Sequence, residues 1–122
     1  DQGGSHFSAI ARQLSTVLGE KTSKNTIKRL VVAYEPVWAI GKGAGDAMRP
    51  AELREMVIFI RKTLADIVGR KEALRTAILY GGSVEPENAA SLIADGGVAG
   101  FLVGHASVDV DTFLPILKAC VK

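Results

Sequence analysis

Three short stretches carry residues whose types and spacing suit proton transfer beside a bound anion. The first is Ala33-Tyr34-Glu35-Pro36-Val37-Trp38-Ala39-Ile40-Gly41. It sets one carboxylate, Glu35, at the end of an apolar run, Leu30-Val31-Val32-Ala33, that reads as a buried strand. Pro36 then stops the strand ladder, because proline lacks an N–H and fixes φ. The tract Gly41-Lys42-Gly43-Ala44-Gly45 follows. A stiff entry, an apolar middle at Trp38 and Ile40, and a flexible exit make the composition of a lid that excludes water when shut. Under such a lid a carboxylate becomes a better base, because desolvation raises its pKa.

The second stretch is Tyr80-Gly81-Gly82-Ser83-Val84, and the third is Leu102-Val103-Gly104-His105-Ala106-Ser107. Each follows an apolar run that reads as a strand. The N–H and hydroxyl of Ser83 can bind a phosphate oxygen, and Gly41 can bring its backbone N–H close to one because it has no Cβ. Each residue also has a plainer reading. Glu35 would be a solvated strand-end side chain, Trp38 and Ile40 core residues under a loop, and Ser83 a turn cap. On spacing alone the plainer reading of Glu35 is favoured; the lid and the two loops together turn the balance toward catalysis. The glycine tract is not a P-loop, since no Lys-Ser/Thr pair follows at the required spacing.

In this order the three motifs closely resemble the catalytic-base strand, the lid and the last two phosphate loops of the triosephosphate isomerase family. The resemblance runs from about Ser5 to the C-terminus. It implies that Glu35 is the base in interconverting dihydroxyacetone phosphate and glyceraldehyde 3-phosphate. It implies a lid of Pro36, Val37, Trp38, Ala39, Ile40, Gly41, Lys42 and Gly43. Substrate phosphate would be held by Gly41, Ser83, Gly104 and His105, and the closed lid would be received by Tyr80 and Ser83. It implies no cofactor and no metal, a small phosphorylated triose as substrate, a homo-oligomer and a cytoplasmic location. Two positions depart from the family pattern: Lys42 stands where Thr is usual, and His105 where Gly is usual. If the backbone at 105 needed a positive φ, His would be strained there. The family also uses an Asn-x-Lys on its first strand and a His on its fourth, and neither strand lies in this chain. Two readings follow: the C-terminal segment of an isomerase, or a half-barrel fragment that is inactive alone and only binds phosphate or self-associates.

The elements that must position these motifs alternate. Phe7, Ile10, Ala11, Leu14, Val17 and Leu18 recur at helical spacing after Ser5, which can cap the helix. Residues 20–29 read as an exposed connection. Pro50 opens a helix whose stripe, Leu53, Met56, Val57, Ile60, Leu64, Ile67 and Val68, runs to about residue 68. Residues 70–75 read as a charged connection to a strand at 77–80. A helix is expected from Pro86 to Asp95, a strand at 100–103, and a helix near 109–121 in which Pro115 suits only the first turn. Strands at 30–35, 77–80 and 100–103 alternating with helices imply a parallel sheet with right-handed crossovers and with 77–80 in the middle. The fold class is α/β, a (β/α)8 TIM barrel of which this chain supplies about three strands and four helices. Residues 1–122 are read as the C-terminal portion of a single barrel domain.

The totals agree. Of 122 residues, 48% are hydrophobic, which suits a packed core rather than a disordered chain. The net charge of +2, with no basic run, gives nothing for nucleic acid to hold. No segment approaches the roughly 18 apolar residues of a membrane span. The single cysteine, Cys120, fits a reducing compartment. His6 reads as a surface residue at a helix start. The first residue is Asp rather than Met, so the sequence is expected to start partway through a longer product. The expected partners are the upstream half of the same barrel or another copy of the chain.

Overall fold

The computed structural model describes residues 4–37, 45 and 47–121. Three parallel strands form one sheet in the order β1 (Val31–Tyr34), β2 (Ala77–Tyr80), β3 (Gly100–Phe101). The register pairs Val31 with Ala77 and Tyr34 with Tyr80, and Leu79 with Gly100. Backbone bonds extend both ladders past the strand ends: Gly81 N–H donates to Tyr34 C=O at 2.8 Å, and Leu102 N–H to Tyr80 C=O at 2.9 Å. β2 is the middle strand, as expected for a right-handed β–α–β–α–β run. Ile78 and Tyr80 on it are fully buried. The outer strands are shorter than the sequence suggests, and Val31 on β1 is 56% exposed rather than buried. The outer side of β1 pairs with no strand among the described residues.

Among the described residues there are six α-helices rather than about four. They are α1 (Ser5–Val17), α2 (Lys24–Lys28), α3 (Pro50–Val68), α4 (Arg70–Arg75), α5 (Ala89–Asp95) and α6 (Val110–Cys120). α2 and α4 fall in the two stretches read as connections. Neither has an apolar stripe to announce it. Their ends do the work: Ser23 Oγ accepts the Thr26 N–H at 3.2 Å, and Gly69 turns the chain between α3 and α4 with φ +92°. The remaining differences lie at helix starts. α1 begins at Ser5 itself, with Gly4 in the cap position and no side-chain cap bond. α5 begins at Ala89, not Pro86, because Asn88 Oδ1 accepts the Glu85 N–H at 2.8 Å and holds residues 85–88 as a turn. Pro115 sits inside α6, beyond its first turn. The carbonyl it leaves without a helical donor is that of Asp111, which is exposed and open to water.

The chain divides into two compact units. One comprises the described residues up to Leu30 together with Ile58–Thr76. There Phe7 meets Phe59 edge-on at 4.7 Å, and Ile60 and Leu64 are buried. The Arg61 guanidinium donates to the Ala73 carbonyl at 2.6 Å and the Thr76 carbonyl at 3.1 Å, satisfying the C-terminal end of α4. His6 is half-buried against Phe7, with ring centroids 4.1 Å apart, rather than on the open surface.

The second unit comprises the described residues of Val31–Val57 and those from Ala77 onward. It holds the sheet, the start of α3, α5, α6 and a short 3-10 turn at His105–Ser107. Leu53, Met56, Ile78, Tyr80, Leu92 and Ile116 form its buried apolar set. At the start of α3, Glu52 reaches back to the Arg49 N–H at 3.2 Å and to its guanidinium at 2.7 Å. The acidic side chain thereby answers a backbone donor that the helix leaves unpaired. Among the described residues no helix is long and apolar enough to cross a membrane.

Candidate functional site

Parallel strands place their C-terminal ends at one edge of the sheet, and all three chemical motifs begin there. Glu35 follows β1, Gly81-Gly82-Ser83 follows β2, and Leu102 to His105 follows β3. Residues far apart in sequence are brought together because the strands that carry them are neighbours in space.

Glu35 is exposed, and its side chain lies directly over Gly81. A Cβ built on Gly81 would fall 2.6 Å from Glu35 Cγ and 3.0 Å from its Oε1. The missing side chain at Gly81 is therefore the space the carboxylate occupies. Pro36 is buried and Val37 is 85% exposed, so the chain leaves the sheet at this point. Trp38, Ala39, Ile40, Gly41, Lys42 and Gly43 lie outside the described residues, and with them most of the expected lid and one phosphate ligand.

Tyr80 is fully buried. Its hydroxyl accepts the Met48 N–H at 3.2 Å, and its ring meets Phe101 edge-on at 6.5 Å. Burial pushes the phenol above its ordinary value, and the Met48 donor draws it back in part. Tyr34 is raised as well, by burial first and then by the nearby Tyr80. Any Cβ on Gly82 would run into the Tyr80 hydroxyl and ring. The two adjacent glycines thus serve different neighbours: Gly81 makes room for Glu35, and Gly82 for Tyr80.

Ser83 is buried, and its backbone carbonyl accepts Asn88 Nδ2 at 3.1 Å. Asn88 spans the loop, since its Oδ1 also takes the Glu85 N–H. Sequence reasoning missed Asn88, because a helix read from Pro86 placed it inside the helix rather than just before it. Gly104 has open space around it, since a Cβ there would meet nothing within 4 Å. Its carbonyl accepts the Ser107 N–H at 3.0 Å and the Ser107 hydroxyl at 2.7 Å, which closes the 3-10 turn. His105 opens that turn. No described non-glycine residue has a positive φ, so the imidazole is carried there without left-handed strain. Its Nε2 pairs with Glu85 Oε1, a contact the sequence did not suggest.

The arrangement offers the Glu35 carboxylate beside the loop that follows β2, with the loop that follows β3 next along the sheet. Among the described residues, no cluster of His, Cys, Asp or Glu could hold a metal ion. An open depression of about 610 Å³ at the start of α3 is lined by Arg49, Pro50, Ala51, Arg54 and Asp95, and none of the motif residues lines it.

A sequence profile described as Triosephosphate isomerase matches residues 1–120. A protein named Triosephosphate isomerase from Flavobacterium johnsoniae is 41% identical over 118 residues, which cover 97% of this chain and 46% of that protein. One of the same name from Porphyromonas gingivalis is 42% identical over 118 residues, with the same two shares. Another, from Alkalilimnicola ehrlichii, is 44% identical over 110 residues, 90% of this chain and 42% of that protein. The chain spans about half the length of the curated relatives it matches.

Proposed function

We propose, for a chain that belongs to the triosephosphate isomerase family, that it supplies the base and the phosphate grip of an aldose–ketose isomerase. The substrate pair is dihydroxyacetone phosphate and glyceraldehyde 3-phosphate. Glu35 takes a proton from the carbon beside the carbonyl and returns it to the neighbouring carbon. Backbone N–H groups of Gly41, Ser83, Gly104 and His105 hold the phosphate, and the lid from Pro36 to Gly43 closes against Tyr80 and Ser83. The observation that carries this reading is the Glu35 carboxylate seated over Gly81, beside the loop that ends in Ser83. A base and an anion loop on adjacent strand ends are what deprotonation of a phosphorylated substrate requires.

The electrophilic Lys and His come from strands this chain does not carry. They are supplied by the upstream half of the same barrel, and the complete enzyme is a cytoplasmic homodimer serving glycolysis and gluconeogenesis. Residues 1–122 are in this reading the C-terminal portion of one barrel domain. Removing one such electrophile costs about 10²–10³ in rate. The chain alone is therefore expected to show no measurable isomerase turnover.

The test is a chimera in which this chain replaces the matching segment of the Flavobacterium johnsoniae relative. Turnover is measured with Glu35 and with Glu35→Gln, alongside binding of a non-reacting phosphorylated analogue. The amide keeps the shape but accepts no proton at neutral pH, so turnover falls by orders of magnitude while analogue affinity holds. A Gln variant that keeps more than a few percent of turnover removes Glu35 from the role of base.

A further inference from the structure

The contact between His105 and Glu85 is not used by the chemistry above. It joins the loop after β2 to the loop after β3, the two loops assigned to phosphate. We propose that Glu85 is a positioning residue: through His105 it clamps these loops at one spacing, so that the Ser83 and Gly104–His105 amides meet an anion together. The proposal rests on the phosphate grip described under the proposed function.

Three observations carry it. The Glu85 side chain is only 14% exposed, whereas that of His105 is 63% exposed, so the carboxylate is the fixed end and the imidazole reaches to it. The Glu85 backbone N–H donates to Asn88 Oδ1, and Nδ2 of the same amide donates to the Ser83 carbonyl. The contacts therefore run without a break from Ser83 through Asn88 and Glu85 to His105. Finally, His105 begins a 3-10 turn closed by Ser107 on Gly104, so an imidazole held by Glu85 is tied to the residue that follows the Gly104 amide in that turn. A glycine at 105 could make no such link. A polar side-chain contact with one exposed partner adds little to stability, which points to geometry as its use.

The test uses the chimera with the Flavobacterium johnsoniae relative, and inorganic phosphate as the probe. Phosphate affinity and the backbone amide signals of Ser83 and Gly104 are followed by NMR in Glu85→Ala, Glu85→Gln, His105→Gly and the Glu85→Ala/His105→Gly double variant. Glu85→Ala and His105→Gly should each weaken phosphate binding three- to tenfold. The double variant should be no weaker than either, because both remove one clamp. Glu85→Gln keeps an acceptor for the imidazole N–H and should restore at least half of the affinity. The imidazole resonances of His105 should move in Glu85→Ala while those of His6 stay in place. Equal phosphate affinity with and without Glu85 overturns the proposal alone. A chimera that binds no phosphate, while His105 still senses Glu85, overturns the phosphate grip and this proposal with it.

Discussion

If Glu35 is the base proposed above, Gly81→Ala separates catalysis from folding. The added Cβ would lie 2.6 Å from Glu35 Cγ and 3.2 Å from its carboxyl carbon. Carbon atoms rest at about 3.5–4.0 Å, so the stem of Glu35 must retreat by roughly 1 Å. Nothing rigid stands in the way, because the clashing atoms are the outer part of an exposed side chain. Gly81 also has no positive φ, so Ala meets no backbone penalty. Ala in place of Gly gains about 0.4–1 kcal/mol through the unfolded chain, which offsets the small cost of moving Glu35. Stability should thus stay within about 1 kcal/mol of the parent. Catalysis should not, since a displacement of about 1 Å at a reacting group costs on the order of 10²-fold. The assay is turnover of the chimera beside its urea unfolding midpoint and its affinity for a phosphorylated analogue. Expected is a fall of roughly 10² in kcat with the other two nearly unchanged. Full turnover would show that Glu35 does not act from the position seen over Gly81. A collapsed unfolding midpoint would show that Gly81 is needed for packing instead.

Gly82→Ala should behave in the opposite way: its Cβ collides with the buried Tyr80 ring, which cannot retreat, and the cost is about 1–3 kcal/mol in urea unfolding. Tyr80→Phe removes only a hydroxyl but leaves the Met48 N–H without its acceptor, a loss of about 1–3 kcal/mol by the same measurement. The raised pKa values of Tyr34 and Tyr80 stabilise the fold fully below the ordinary phenol value of 10.0, and that contribution is lost as pH rises through their folded values. A stability–pH profile should therefore fall above pH 10.0, and fall less steeply in Tyr80→Phe, which keeps only Tyr34. The isolated chain should self-associate: Val31 is 56% exposed on an outer strand and Leu102 is 43% exposed just after the other. Analytical ultracentrifugation over a range of concentrations checks this, and a sharp monomer at all of them counts against it.

The three strands were legible as apolar runs leading to Gly or Pro, and β2 lies where it was read, but β1 and β3 end earlier than expected. The long helix α3 was legible for a similar reason, since seven apolar residues share one face and Pro50 marks its start. The short helices were not. α2 and α4 are polar on most sides, and their existence depends on a serine cap and a glycine turn rather than on a stripe. The helix near 109–121 was legible despite Pro115, which sits beyond the first turn it was held to suit; Asp111, whose carbonyl loses its donor, is exposed. At the site, Glu35, Ser83 and Gly104 could be named from their places after strands. Asn88 and Glu85 could not, because what they do depends on partners. Glu85 and His105 stand twenty positions apart and meet only because β2 and β3 are adjacent.

β2 has a part in every feature of the candidate site. On one side its end donates Gly81 N–H to Tyr34 and makes room for Glu35. On the other it accepts Leu102 N–H and so fixes where the loop with Gly104 begins. From its last residue, Tyr80 reaches Met48, just past the expected lid. A shift of β2 by one residue would turn its alternating side chains over, placing Tyr80 on the wrong face and closing the space over Gly81. The proposed base, the proposed phosphate loops and the Met48 anchor would be lost together. The buried Ile78 and Tyr80 therefore hold the register on which the proposed chemistry depends. Their packing against the second unit's core counts for function as much as for stability, although neither side chain needs to touch substrate.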